Sequence, residues 1–503
     1  MTGIAFSSNY NYFNVSCKSG LVFIPYTLYP IPYTLDHVFS FMRIKKGQEL
    51  ELTITDLAFG GRGIAKVDGF TIFVEQAVPQ DQVLARIFKR KKNYAEARVV
   101  SLLSPSPYRI NPPCPYSAWC GGCKWQFLDY DKQLEYKQRH VSESLAHIGG
   151  IKGVRVHATR ASADVFHYRN KMEFSCSDRR WLLPEELGDT EIDIGFALGL
   201  HVPGTFHKVL DIDRCLLQPD TGNQILAEAK HFMKNSGLPA YGLKTHTGFW
   251  RFLMLRHSVA YDQWLVNIVT TTESVASVKP LADALIAGYP RVVSVVNNIT
   301  AKKSGVATGD YELPLAGENC LKERIGPFEF EVSANSFFQT NTRGAEILYD
   351  TVRAYADLSG SETVLDLYSG TGTIPVFLSD SARAITGIEI VESAVMDAKK
   401  NCRHNDITNC EFLTGDIRSQ LNGFIETPDV MIIDPPRPGM HKDVVKKVLE
   451  ISPSRIVYVS CNPATLSRDL WMLSDRYRVA EVQPVDMFPH TYHIEAVAKL
   501  EKK

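Results

Sequence analysis

Between residues 48 and 103 apolar and polar positions alternate, as in ELELTITDL and VLARIFKR, and glycines at 60, 61, 63 and 69 interrupt the alternation. A period of two marks strands with one buried face, so this stretch predicts several short strands joined by tight turns, a small β-barrel. From Leu128 to Ile148 the spacing becomes helical and stops at Gly149 and Gly150. Residues 151–330 mix strand-like runs, YRNKMEFSCSD, IDIGFALG, WLVNIVTTT and RVVSVVNNIT, with a few helical ones, and predict an α+β domain. After FEFEVSANSFFQTN at 328–341, strands and helices alternate to the end of the chain, the pattern of an open parallel sheet covered on both faces. SPSPYRINPPCP at 104–115 reads as a linker. The expected organisation is therefore a barrel at 43–103, a central α+β domain at 104–330 and an α/β domain at 331–503.

Composition adds constraints to this pattern. A chain of 503 residues is too long for a single core, which agrees with three parts. The most apolar stretch, at 21–42, is broken by Pro25, Pro30 and Pro32 and has little basic flank, so no export signal or membrane span is expected. Residues 1–42 are read as an extension outside the fold, either a poorly ordered leader or the product of a start placed upstream of Met42. With no targeting segment read, the expected compartment is the cytoplasm.

The formal net charge of -1 excludes a protein that is basic all over, though not a local basic face. ARIFKRKKNYAEARVV at 85–100 offers one, with Arg86, Lys89, Arg90, Lys91, Lys92 and Arg98 around Phe88 and Tyr94. A nucleic-acid surface and a solvated hairpin are equal readings of that segment. Ten cysteines without an export signal point to metal binding or catalysis rather than disulfides.

ETVLDLYSGTGTIPVFLSD, at 362–380, is a strand, a glycine turn with Gly370 and Gly372, and a helix, which lets the backbone approach a ligand closely. The next strand ends on Glu389, placed to hold a ribose diol; further strand ends carry Asp416 and Asp434. LDLYSGTGT lacks the third glycine of the dinucleotide fingerprint and opens on Asp366, so a class I S-adenosylmethionine methyltransferase domain is preferred to a dehydrogenase or to a nucleotide fold with a lost site. Enzymes that methylate base amines carry an aromatic residue after such a DPP; here Arg437 follows, which disfavours that chemistry.

VYVSCNPATL, at 457–466, ends a strand-like run on an Asn-Pro turn holding Cys461, which reads as a core thiol or as a nucleophile at a strand end. Together FFQTN, LDLYSGTGT, DPPRPGM, SCNPATL and HTYHIE resemble the RNA uracil-5-methyltransferase family, and GGRGIAKVDG with VPQDQVLARI resembles a TRAM domain, an OB-like RNA-binding barrel. The resemblance implies that Cys461 adds to uracil C6 and that Glu495 removes the C5 proton. It places Gln339, Tyr368, Thr373, Glu389, Asp416 and Asp434 around S-adenosylmethionine; Asp434 has two further readings, holding the uracil edge or positioning Cys461.

Cys114, Cys120 and Cys123 form C-x5-C-x2-C with Gly121 and Gly122 between the last two. Three thiolates call for a fourth, which the resemblance places at Cys215, with Cys176 as the substitute; four suit zinc or [4Fe-4S], and the resemblance favours a [4Fe-4S] cluster in a structural or RNA-positioning role. Cys17, Cys320, Cys402 and Cys410 carry no motif. The implied substrate is a uridine in structured RNA, 23S ribosomal RNA ahead of the T-loop of transfer RNA, with no obligate protein partner. A non-catalytic RNA-binding factor is the competing class, and it would leave these motifs damaged. Cytosine-C5 methylation fits the Ser-Cys-Asn-Pro order less well.

Overall fold

The computed structural model describes residues 44–503 apart from Ser304 and Ile425, so the extension read at 1–42, with Cys17, lies outside the described residues. The described chain forms one compact unit.

The alternating stretch folds as a six-stranded sheet in the order Glu49–Thr53, Gln82–Arg90, Tyr94–Ser104, Phe70–Glu75, Gly63–Val67, Asp56–Leu57. Its inward positions, among them Leu50, Leu52, Ile72, Val74, Val83, Ala85 and Ile87, make their own core. The basic hairpin forms as read, but half of its cations are answered within the barrel: Arg86 pairs with Glu49, Lys89 with Glu96 and Arg98 with Glu75. The proline-rich linker is tethered, because the fully buried carboxylate of Asp81 holds Arg109 at 2.6 Å and accepts from the Ser106 amide at 2.9 Å.

The central part is an eight-stranded sheet built around Lys171–Ser177, Trp250–Ser258 and Gln263–Thr270, with the helices Asp220–Asn235 and Val275–Gly288 contributing to its core. Its bounds differ from the expectation at both ends. The helix Tyr130–His147, capped by the Asp129 carboxylate, shares a core with the C-terminal domain, and the strand Arg155–Val156 joins the C-terminal sheet. Lys137 of that helix is fully buried and meets the equally buried Asp486 at 2.5 Å. At the other end, Ile325, Phe330 and Val332 of the hairpin Leu321–Ile325/Phe328–Val332 also pack into the C-terminal core.

The C-terminal domain alternates β1 (Thr363–Leu367), α1 (Thr373–Leu378), β2 (Ala384–Glu389), α2 (Glu392–His404), β3 (Cys410–Thr414), α3 (Ile417–Asn422), β4 (Val430–Ile433), α4 (Lys442–Ile451), β5 (Arg455–Ser460), α5 (Pro463–Leu473), β6 (Tyr477–Val485) and β7 (Glu495–Lys502). The sheet order is β3-β2-β1-β4-β5-β7-β6, followed by Arg155–Val156. β1 to β5 are parallel and β7 is antiparallel between β5 and β6. Every residue of β4 is buried, as helices on both faces require of a central parallel strand. Ligands of such sheets lie outside the carboxyl ends of the strands, where β1, β2, β4 and β5 release Tyr368, Glu389, Asp434 and Cys461.

Candidate active site

A cavity of about 760 Å³ opens at that edge and is lined by Gln339, Tyr368, Glu389, Asp434, Cys461 and Glu495 together. Its floor is the turn after β1. Tyr368, Gly370 and Gly372 all have positive φ, and a Cβ on Gly372 would stand 2.8 Å from Ala398 and Phe412, so only glycine allows this approach of α1 to the sheet. A non-glycine residue in the left-handed region, here Tyr368, is a mark of a functional turn.

Glu389 is held in place by two backbone donors, the Gly370 amide at 3.0 Å and the Val391 amide at 2.9 Å. Beside it Phe337, Ile390 and Val391, each at least half exposed, line the same cavity, an unusual exposure for large apolar side chains. A carboxylate next to an apolar slot suits a ribose diol next to a flat heterocycle. Asp366 is buried with neither carboxyl oxygen hydrogen-bonded in the protein, and burial, with Asp434 and Glu389 nearby, pushes it well above the usual carboxylate range. Asp366 lies behind the cavity wall, outside its lining.

Cys461, Glu495, Asp434 and Arg437 form an interacting cluster in the same lining. Burial pushes Cys461 up to about 11; Glu495 and Asp434 push the same way, and Arg437, within hydrogen-bonding reach of the thiol, pulls it down. Burial lifts Asp434 to about 7. Burial and then Asp434 hold Glu495 well above its ordinary range, against the pull of Arg437. His493 is pushed down to about 4, chiefly by burial. Three acids thus face one fixed cation and one neutral imidazole: the acids favour entry of positive charge, and Arg437 is the group that offsets the burial of the thiol.

Two residues expected here lie elsewhere. Thr373 opens α1 with its hydroxyl 2.9 Å from that of Tyr349, outside the cavity lining. Asp416 caps the start of α3 and pairs with Arg418 at 2.7 Å, also outside the lining.

Cys114, Cys120, Cys123 and Cys215 line a second cavity of about 570 Å³, joined to the first through Thr340, Arg437, Phe488 and His493, which line both. Burial pushes Cys123 up to about 12, with Cys215, Cys120 and Cys114 adding to the shift, so the four sulfurs lie close enough for their charges to interact. Gly121 is required there, since a Cβ would stand 2.7 Å from the His201 carbonyl. Cys176 does not take part: its sulfur lies 4.0 Å from that of Met233 in the central core. The four thiols are not drawn into a closed ligand set, and among the described residues no three or more His, Cys, Asp or Glu side chains stand ready to hold a metal ion.

This arrangement agrees with what the chain is similar to. Residues 43–100 match the TRAM domain model, 358–456 a methyltransferase domain model and 420–503 the tRNA (uracil-5-)-methyltransferase model. An uncharacterised RNA methyltransferase of Chlorobaculum tepidum is 43% identical over 472 residues, covering 92% of this chain and 98% of the relative. The chain belongs to the RNA uracil-5-methyltransferase family. A second RNA methyltransferase of this kind, from Bacteroides thetaiotaomicron, is 41% identical over 88% of this chain and all of the relative. Among solved structures, the Pyrococcus abyssi tRNA (uracil-54, C5)-methyltransferase in complex with S-adenosyl-L-homocysteine superposes with a TM-score of 0.70 at 29% identity, covering 90% of this chain and 100% of that one.

As an RNA methyltransferase, the protein carries cavity residues that sequence reasoning missed. Arg437 lies in DPPRPGM, but the residues it faces come from other segments of the fold and leave no mark in that motif. Phe337, Ile390 and Val391 look like core residues, and their exposure is decided by the segment 333–341 and by the turn that ends β2. Asp397, which accepts from Ser336 at 2.7 Å on the cavity wall, lies in an ordinary helical run.

Proposed function

We propose that this enzyme methylates C5 of a uridine in structured RNA with S-adenosylmethionine as donor, Cys461 as covalent nucleophile and Glu495 as base. The observation that carries the reading is the shared cavity: Cys461, Glu495, Asp434 and Arg437 line it together with Gln339, Tyr368 and Glu389. Bound S-adenosylmethionine supplies an electrophilic methyl group and a positive charge. Glu389 suits its ribose, and the slot of Phe337, Ile390 and Val391 its adenine.

Uracil C5 is a weak carbon nucleophile. Addition of the Cys461 thiolate to C6 forms an S–C6 bond and moves the C5–C6 π electrons onto C5 and the O4 carbonyl. C5 takes the methyl group, Glu495 accepts the C5 proton, and loss of the thiolate from C6 restores the double bond. Arg437 favours the Cys461 thiolate and the Glu495 carboxylate, both of which burial opposes. The uridine must leave its stack for its C5 and C6 to reach Cys461 in the cavity.

Cys114, Cys120, Cys123 and Cys215 are assigned to a [4Fe-4S] cluster; four thiols converging on one cavity fit its donor chemistry. By that four-cysteine pattern, 23S ribosomal RNA is the first substrate class. Transfer RNA is the second, favoured by the likeness to the Pyrococcus abyssi enzyme. The chemistry takes place in the cytoplasm.

The test is incubation with S-adenosylmethionine and 5-fluorouridine-substituted ribosomal or transfer RNA, followed by a denaturing gel. Fluorine at C5 cannot leave as a proton, so a shifted protein–RNA band is expected with the wild type and none with Cys461→Ala. No band with either RNA would overturn the mechanism, and the RNA that traps identifies the substrate.

A further inference from the structure

A third cavity, of about 380 Å³, lies between the barrel, the cysteine loop and the central sheet, and no step of the proposed chemistry uses it. It adjoins the thiol cavity through Ser117, Cys120 and Cys123, which line both. Its size falls among ordinary small-ligand sites, roughly 300–1,000 Å³.

The lining has a particular chemistry. Trp119 of the cysteine loop and Trp181 of the central sheet meet with ring centroids 5.9 Å apart at 50°, and both line the cleft. Four cations line it as well. Arg62 and Arg98 are shared with Glu96 and Glu75, at 3.4 and 3.0 Å. Among the described residues the Lys208 ammonium group has no ion-pair or hydrogen-bond partner, and that of Lys124 feels the charge of Glu75, which also lines the cleft. The unpaired Lys208 ammonium group beside an indole pair, with Lys124 as a second cation that Glu75 partly balances, leaves an anion-binding site next to a stacking platform. The molecule as a whole has net charge -1, so this is a local feature, not a general one.

The cleft is also tied to the catalytic loop. The Lys124 and Trp125 amides both donate to the His490 carbonyl at 2.9 Å, and His493, three residues on, lines the catalytic cavity.

We propose that this cleft is a second nucleotide subsite, in which an unstacked base of the RNA substrate lies against Trp119 and Trp181 while Lys124 and Lys208 hold its phosphate. The inference rests on RNA as the substrate of the catalytic cavity. Stacking on aromatic faces and phosphate contacts from lysine are how single-stranded RNA is held without sequence readout. A nucleotide anchored here fixes the position of the strand whose target uridine enters the catalytic cavity.

Trp181 and Lys208 lie outside the cysteine loop, so replacing them leaves the four thiols in place. The full-length, cluster-loaded protein is titrated with a fluorescein-labelled twelve-nucleotide oligouridylate at several salt concentrations. Trp181→Ala is expected to weaken binding about tenfold, as loss of one stacked base does, and Trp181→Phe to retain most of it. Lys208→Ala is expected to lower the slope of log affinity against log salt by about 0.7, the value for one phosphate contact to a single strand. Methylation at saturating ribosomal or transfer RNA should keep its wild-type kcat in Trp181→Ala, with KM raised. Wild-type affinity and salt slope in both variants, or no binding of the oligonucleotide by the wild type, overturns the subsite. Failure of the catalytic reading would instead appear as loss of the fluorouridine adduct with the subsite variants still impaired in binding.

Discussion

Cys461 leaves β5 beside the first residue of β7, Glu495: Ser460, the last residue of β5, pairs with Ala496 across the antiparallel ladder. Because β7 runs against β5, its start lies at the edge where the parallel strands end. The register of one strand pair therefore brings together a thiol and a carboxylate that are remote in sequence, and Glu495 raises the proton affinity of the Cys461 thiol. Asp434 reaches the same edge from β4, whose Ile433 pairs with Tyr458 of β5.

On the proposed mechanism Glu495 removes the C5 proton. Glu495→Gln keeps the shape and the burial but cannot accept a proton, so the methylated adduct should accumulate on Cys461 with unsubstituted RNA. Turnover is expected to fall by about 10²–10⁴, the range for a lost general base. Adduct formation is read on a denaturing gel and turnover by methyl transfer; unchanged turnover would remove Glu495 from the mechanism.

Asp434 should destabilise the ligand-free protein above neutral pH. Burial raises it from 3.8 to about 7, so between these values the folded state keeps a proton that the unfolded chain has released. Stability attributable to this group therefore falls as pH rises from about 4 to 7, and the full penalty persists above 7. Asp434→Asn is expected to stabilise the ligand-free protein, by roughly 3 kcal/mol more at pH 8 than at pH 5, while lowering activity. Urea unfolding at the two pH values checks it; an equal gain at both would place the titration elsewhere.

The buried Lys137–Asp486 pair joins the helix Tyr130–His147 to the segment leading into β7, where Lys137 also donates to the Phe488 carbonyl at 3.1 Å. Lys137→Ala leaves an uncompensated buried carboxylate and is expected to cost about 3–5 kcal/mol of stability. Phe488 and His493 line the catalytic cavity, so kcat should fall as well. Chemical denaturation and steady-state methylation measure the two effects.

Cys215 and Cys176 separate cleanly. Anaerobically purified Cys215→Ser should lose iron and the visible absorbance of a [4Fe-4S] cluster, whereas Cys176→Ser, whose sulfur sits against Met233, should keep both. Iron retained in Cys215→Ser and lost in Cys176→Ser would reverse the assignment.

Local sequence determined the elements and the chemical vocabulary of this protein. The period-two run made the barrel, the fully apolar β4 could only be an inner strand, and the glycine turn after β1 sets how closely a ligand approaches the sheet. Such features depend on steric and burial preferences within a few residues. The motif set likewise contained Cys461, Glu495, Gln339, Tyr368, Glu389 and Asp434, all of which line one cavity. Tertiary structure alone decided the rest. It set the helix Tyr130–His147 and the strand Arg155–Val156 against the catalytic sheet instead of the central one, and chose Cys215 over Cys176 for the thiol cavity. It answered Arg86, Lys89 and Arg98 with barrel carboxylates, and gathered Lys124, Lys208 and the two tryptophans from separate segments into one cleft. The physical reason is range: strand and turn preferences act between neighbours along the chain, whereas burial, charge and stacking depend on neighbours that only the strand order and register supply.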